Sequence, residues 1–123
     1  MSASDVRSVS PVIVLNPVSA ANTAAATSGW IDVRSYEGDI AIIQHVGAIT
    51  GTLDGKIQDA TDGSGTGAAD IAGLAYTQVT TANNVQKLVI RASSTRGYIK
   101  YVGTVVTGPA IVGVSALART DTV

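Results

Sequence analysis

At 123 residues and without a single cysteine, the chain has the length of one domain with one core, and it can hold no disulfide, thiolate metal site or cysteine nucleophile. A formal charge of −1 gives no overall field to draw in nucleic acid or an anionic membrane, so neither is an expected partner. Val, Ile and Thr supply 41 residues, the branched types that suit a pleated surface better than a helix, which predicts an all-β protein. With no Phe, one Trp and four Tyr, the space between two sheets must be filled mostly by aliphatic side chains.

Residues 1–29 read as an extended N-terminal arm, and residues 30–123 as a β-sandwich domain. The start, Met1 to Asp5, lacks the basic stretch and apolar run of a secretory signal, and no apolar run approaches the ~18 residues of a membrane span. Pro11 and Pro17 bracket the apolar run Val12, Ile13, Val14 and Leu15. Proline cannot donate a ladder hydrogen bond, so this run belongs at an edge or against a neighbour. The following Ala/Thr/Ser stretch, Val18 to Gly29, carries no apolar face at helical period and is read as part of the arm.

From Trp30 onward, strands are expected at 30–36, 39–47, 51–59, 69–79, 84–92, 97–107 and 110–118. Together with the 11–16 run these make about eight. Leu53, Gly55 and Ile57 alternate with Asp54, Lys56 and Gln58, and Leu88 and Ile90 alternate with Lys87 and Arg91, which gives one dry face and one wet face. Ile40 to Ile43 and Val102 to Val106 are instead apolar on both faces, and the second face calls for cover by the arm or another subunit. The fold class is therefore a single antiparallel β-sandwich of jelly-roll or Greek-key type.

Candidate chemistry is sparse. His45, the one histidine, has no Ser or Asp at relay spacing and is read as a structural or interface residue. Asp59, Asp62 and Asp70 flank a Gly-rich stretch that could offer oxygens to a hard cation, but the spacing matches no EF-hand and a flexible hairpin loop is expected. Gly63-Ser64-Gly65-Thr66-Gly67 lacks the Gly-Lys-Ser/Thr and the following helix of a phosphate loop. The sole Glu, Glu37, lies in a turn beside Asp39, poor footing for a glycosidase carboxylate pair. No catalytic, metal or cofactor residue is assigned, and the chain is read as a non-enzyme.

Charge is more informative. Residues 39–80 hold five Asp against Lys56, a net of −4, whereas residues 85–119 hold Lys87, Arg91, Arg96, Lys100 and Arg119 with no acid, a net of +5. Such halves either dock on charged partners or neutralise each other in cross-strand pairs. The partner-binding candidates are thus apolar Val12, Ile13, Val14, Leu15, Ile40, Ile42 and Val105 and basic Arg91, Arg96 and Lys100. A carbohydrate-binding module is the rival, if Trp30, Tyr36, Tyr76, Tyr98 and Tyr101 share a solvent face.

Three segments carry a resemblance to a family: Val46-Gly47-Ala48-Ile49-Thr50, Ile57-Gln58-Asp59-Ala60-Thr61-Asp62-Gly63-Ser64, and Arg96-Gly97-Tyr98-Ile99-Lys100-Tyr101-Val102. With the proline-flanked start and the closing Ile111 to Ala118, they make residues 10–118 similar to small virion structural proteins of tailed bacteriophages, of the capsid cement or decoration type. The loop Thr61 to Ala69 departs from that pattern in lacking an aromatic residue. The resemblance implies a β-sandwich made in the host cytoplasm that binds the major capsid protein on the capsid exterior. It also implies a small homo-oligomer, a dimer or trimer. Other head or tail structural roles remain open alternatives, and the family implies no catalytic residues.

Overall fold

A computed structural model describes residues 9–120, so residues 1–8 of the expected arm lie outside the described residues. Eight strands form: β1 (Ser10–Ala20), β2 (Ile31–Asp32), β3 (Tyr36–Ile49), β4 (Thr52–Ala60), β5 (Ala69–Ala75), β6 (Asn84–Arg91), β7 (Tyr98–Val106) and β8 (Ala110–Thr120). They make two four-stranded sheets, β1-β8-β3-β6 and β2-β7-β4-β5, in which every paired neighbour is antiparallel. Only β4 and β5 are sequential strands of one sheet, and every other connection crosses to the facing sheet. The all-β sandwich expected from composition and strand count is thus found, and of its two expected types this order is the jelly roll.

The core forms between the two sheets. Ile40, Ile42 and Val46 of β3 and Val112 and Val114 of β8 face Leu53 and Ile57 of β4 and Ile99 and Tyr101 of β7, all buried. Each fully buried aliphatic side chain contributes about 1.5–3 kcal/mol. Period 2 also turns one polar residue inward, since Gln44 shares the inner face with Ile42 and Val46 and is fully buried. The Tyr101 hydroxyl donates to Gln44 Oε1 at 2.6 Å, and the Tyr76 hydroxyl donates to the Ile42 carbonyl at 2.7 Å. The two tyrosine rings meet edge to face at 6.1 Å.

A glycine pair makes room for this cluster. Gly55 and Gly103 lie opposite each other in register on β4 and β7. A Cβ at Gly55 would collide with Gln44 Oε1 and approach the Tyr101 hydroxyl to 2.7 Å, and one at Gly103 would approach that hydroxyl to 2.9 Å.

The expected boundary between an arm and a domain at residue 29 is not found. β1 pairs with β8 along its length, from Ser10 opposite Ala118 to Ala20 opposite Ala110, and it sends Val14 and Ala20 into the core. The prolines are compatible with this because β1 is an edge strand, with register shifts between Ile13 and Leu15 and between Leu15 and Val18. The Ala-rich stretch is also integrated, running along the edge of β7. Ser28 exchanges two hydrogen bonds with the Tyr101 backbone at 2.9 Å, and Thr23 Oγ1 accepts from the Val105 N–H at 3.0 Å. Asn22 Oδ1 accepts the Ala25 N–H at 3.0 Å and holds the turn that starts this segment.

Candidate interaction surface

The same alternation that fills the core sets the outer face of the β1-β8-β3-β6 sheet. Ala41, Ile43 and His45 of β3 stand beside Leu117, Ser115 and Gly113 of β8, in that order, and Gly47 beside Ile111 continues the row. β6 adds Val89, Lys87 and Val85, and β1 adds Pro11 and Ile13. Ile13 (62% exposed), Val85 (59%), Val89 (47%), Ile111 (45%) and Leu117 (37%) all lie here. Among the described residues the one other large apolar side chain so exposed is Val106, at the end of β7.

Four strands at about 4.8 Å spacing and eight residues at about 3.3 Å rise give this face a footprint of roughly 500 Å². The apolar side chains on it are contiguous, and a patch of this order is often functional even on a monomer. Apart from Lys87 in the middle of β6, its acidic and basic side chains gather at one end, where Arg119 approaches Glu37 at 3.5 Å and Asp39 lies in register with Arg91. Beside them a hollow of about 420 Å³ is lined by Val9, Asp39, Ala41, Val89 and Leu117. A second hollow of about 230 Å³, further along, is lined by Pro17, His45, Gly47, Ile111, Val112 and Gly113.

The opposite face of the molecule is polar and already paired. Lys56 and Gln58 both reach Asp70, at 3.1 and 2.9 Å, and Gln78 donates to Asp54 at 2.9 Å. Two aromatic faces are occupied by cations, since Lys100 lies 4.9 Å from the centre of the Trp30 ring and Arg34 lies 5.0 Å from that of Tyr98. Hydrogen bonds from Arg34 also hold the Asp32 carboxyl down to about 2. Tyr76 and Tyr101 are core residues, so the shared aromatic platform required for sugar stacking is not assembled.

Several sequence-based site assignments are corrected by these positions. Ile40 and Ile42 are fully buried in the core and Val14 nearly so, while Val12, Leu15 and Val105 are half-buried against it. The outward members of the β3 run are Ala41 and Ile43, one residue out of phase. Arg96 is committed within the chain: Nε and Nη2 donate to Asp59 Oδ1 at 3.1 and 2.7 Å, and Nη2 also donates to the Asp59 carbonyl at 2.8 Å. Lys100 is engaged with Trp30, which leaves Ile13 and Arg91 as the assigned residues standing exposed on the apolar face. Ala41, Ile43, Val85, Val89, Ile111 and Leu117 were missed. Val85 and Val89, which alternate with inward Leu88 and Ile90, were the available signal for them.

The expected flexible loop is instead tied together by its own carboxylate. Asp62 accepts from the Ser64 and Thr66 N–H groups at 2.9 and 3.1 Å and from the Thr66 hydroxyl at 2.6 Å, and these bonds hold its carboxyl below the usual range. The Trp30 indole packs on Gly65, where an added Cβ would come within 2.7 Å of Nε1. An aromatic from outside the loop thus fills the place that the loop's own sequence leaves open. Among the described residues no three His, Cys, Asp or Glu side chains gather as a metal site, and no helix is long and apolar enough to cross a membrane.

No family model and no curated protein matches the chain. Among solved structures, the crystal structure of SPBc2 prophage-derived protein YomS superposes with a TM-score of 0.58 at 8% identity, covering 91% of this chain and 93% of that one. A structure of Bacillus endospore appendages gives a TM-score of 0.45 at 14% identity, covering 94% and 90%. One of infectious bursal disease virus, Gx strain, gives 0.45 at 14%, covering 91% of this chain and 32% of that chain. The YomS likeness is one of fold.

Proposed function

We propose that this chain is a non-enzymatic structural protein of a tailed-phage virion, which binds the major capsid protein on the outside of the shell and stabilises the lattice as a cement or decoration protein. The observation that carries this reading is the broad apolar outer face of the β1-β8-β3-β6 sheet, a surface suited to burial in an assembly. The jelly roll shared with a prophage-derived protein supports it, as do the motifs at Val46–Thr50, Ile57–Ser64 and Arg96–Val102. Small contacts of this kind gain strength by repetition over a lattice. The loop acids speak for a structural role too, because Asp59, Asp62 and Asp70 are each engaged by hydrogen bonds within the fold.

Mass spectrometry of gradient-purified virions of the encoding phage tests this. The chain is expected at a copy number comparable to that of the capsid subunit, and particles lacking it should lose their genome at a lower temperature. Its absence from purified virions would overturn the proposal. A carbohydrate-binding role is disfavoured by the burial of Tyr76 and Tyr101 and by the cations over Trp30 and Tyr98.

A further inference from the structure

The outer face has an internal pattern beyond being apolar. Along the two central strands, each cross-strand pair joins a larger side chain to a smaller one: Leu117 with Ala41, Ile43 with Ser115, His45 with Gly113, and Ile111 with Gly47. The larger member sits on β8 at both ends of the row and on β3 in the middle. One pair further along, the same relation holds for charge, with Arg119 on β8 beside Glu37 on β3.

A two-fold axis running along the strands, midway between β3 and β8, exchanges those two columns while keeping each row in place. It would set Leu117 of one copy over Ala41 of the next, Ser115 over Ile43, Gly113 over His45, Ile111 over Gly47, and Arg119 over Glu37. Each larger group of the two central columns would then meet a smaller one, and Arg119 would meet Glu37. On the flanking strands Pro11 would lie over Val89, and Ile13 over Lys87, whose methylene stem is apolar. Sheets packed face to face cross at about −30°, which keeps the central pairs opposed and fans the ends apart.

We infer that the occupant of this face is a second copy of this chain, packed sheet on sheet as an isologous dimer. Self-complementarity under a two-fold is what such an interface requires, with residue i meeting j and j meeting i. Two footprints of roughly 500 Å² reach about 1,000 Å², the lower bound for a specific interface. This dimer deepens the assembly reading by naming what covers the apolar face.

Sedimentation velocity of the purified full chain between 1 and 100 μM tests the dimer, with thermal melts to confirm folding. The wild type is expected to dimerise within this range. Ser115→Ile should stay folded, because Ser115 stands on the outer face beside Ile43. It should nonetheless weaken association at least a hundredfold by filling the partner's socket. The swap Ile43→Ser/Ser115→Ile should restore association, since the larger and smaller residues again oppose. If Ser115→Ile melts without cooperativity, Ile43→Asp decides instead, with a folded monomer expected. A wild type that stays monomeric at 100 μM would overturn the dimer, as would a dimer indifferent to these folded variants or a folded swap that does not reassociate. Because the chain is tested alone, that failure would leave the virion proposal to its own mass spectrum.

Discussion

Tyr101→Phe removes one oxygen from the middle of the sandwich and isolates the contribution of the buried polar cluster. The Tyr101 hydroxyl is the group that donates to Gln44 Oε1, at 2.6 Å, and Gln44 Nε2 already has no partner among the described residues. The variant leaves a fully buried amide with no partner at either end, a cost of about 1–3 kcal/mol. The whole domain is worth about 6–18 kcal/mol at 0.05–0.15 kcal/mol per residue. At roughly 3–5 °C per kcal/mol for a chain of this size, Tm should fall by about 3–15 °C. Gln44→Met keeps similar bulk and strands the Tyr101 hydroxyl, at a similar cost. The double variant replaces both partners with apolar groups and should come close to wild type, giving a coupling energy of about 2–6 kcal/mol. Urea titrations followed by the fluorescence of Trp30, the lone tryptophan, measure all four proteins. A Tyr101→Phe protein as stable as wild type, or single-variant costs that simply add, would mean that the Tyr101–Gln44 hydrogen bond contributes nothing to stability.

Arg96→Ala should cost about 1–3 kcal/mol in urea unfolding, because the Asp59 carboxylate is largely buried and loses its charged partner; Arg96→Lys should recover only part, lacking the guanidinium fork. Deleting residues 1–17 removes Val14 from the core and most of β1, one of the two partners of β8, so calorimetry should show loss of the cooperative melt rather than a folded sandwich without its arm. Burial raises the Tyr76 and Tyr101 phenols well above the usual range, so the fold holds their protons more tightly than the unfolded chain does. Stability should therefore be flat below pH 10 and fall above it by about 1.4 kcal/mol per pH unit per tyrosine, with phenolate absorbance from these two appearing only on unfolding. Asp62 and Asp70 shift the other way, lowered chiefly by their hydrogen bonds to Thr66 and to Gln58. Their contribution is present above the unfolded carboxylate range and lost as pH falls through the folded one, so amide-exchange protection in the Thr61–Ala68 loop, corrected for the intrinsic rate, should fall in acid before that of the core.

Strand positions were legible because Gly, Asp and Asn punctuate runs of branched residues, and the expected segments from 39–47 through 110–118 coincide with β3 to β8 to within a few residues. The strand status of β1 was hidden by Pro11 and Pro17. Both prolines fit an edge strand with bulges as well as a free arm, and sequence cannot show that β8 offers the partner edge. Phase was the second obscurity. Ile40 to Ile43 is apolar in both registers, and inward Gln44 contradicts a polar-out reading until the Gly55–Gly103 gap and Tyr101 give it a place. Charge docking and internal neutralisation could not be told apart because Asp59 and Arg96 are 37 residues apart and meet only in the folded sheet.

A density map of the intact virion would show where this chain sits and what covers its apolar face. A jelly roll of this chain is expected on the shell exterior, with Ile13, Ile43, Val89, Ile111 and Leu117 covered by a second copy and the Lys56–Asp70 face on the far side of each molecule from that contact. A particle without this density, or one in which the outer face of the β1-β8-β3-β6 sheet stands open to solvent, would contradict this expectation.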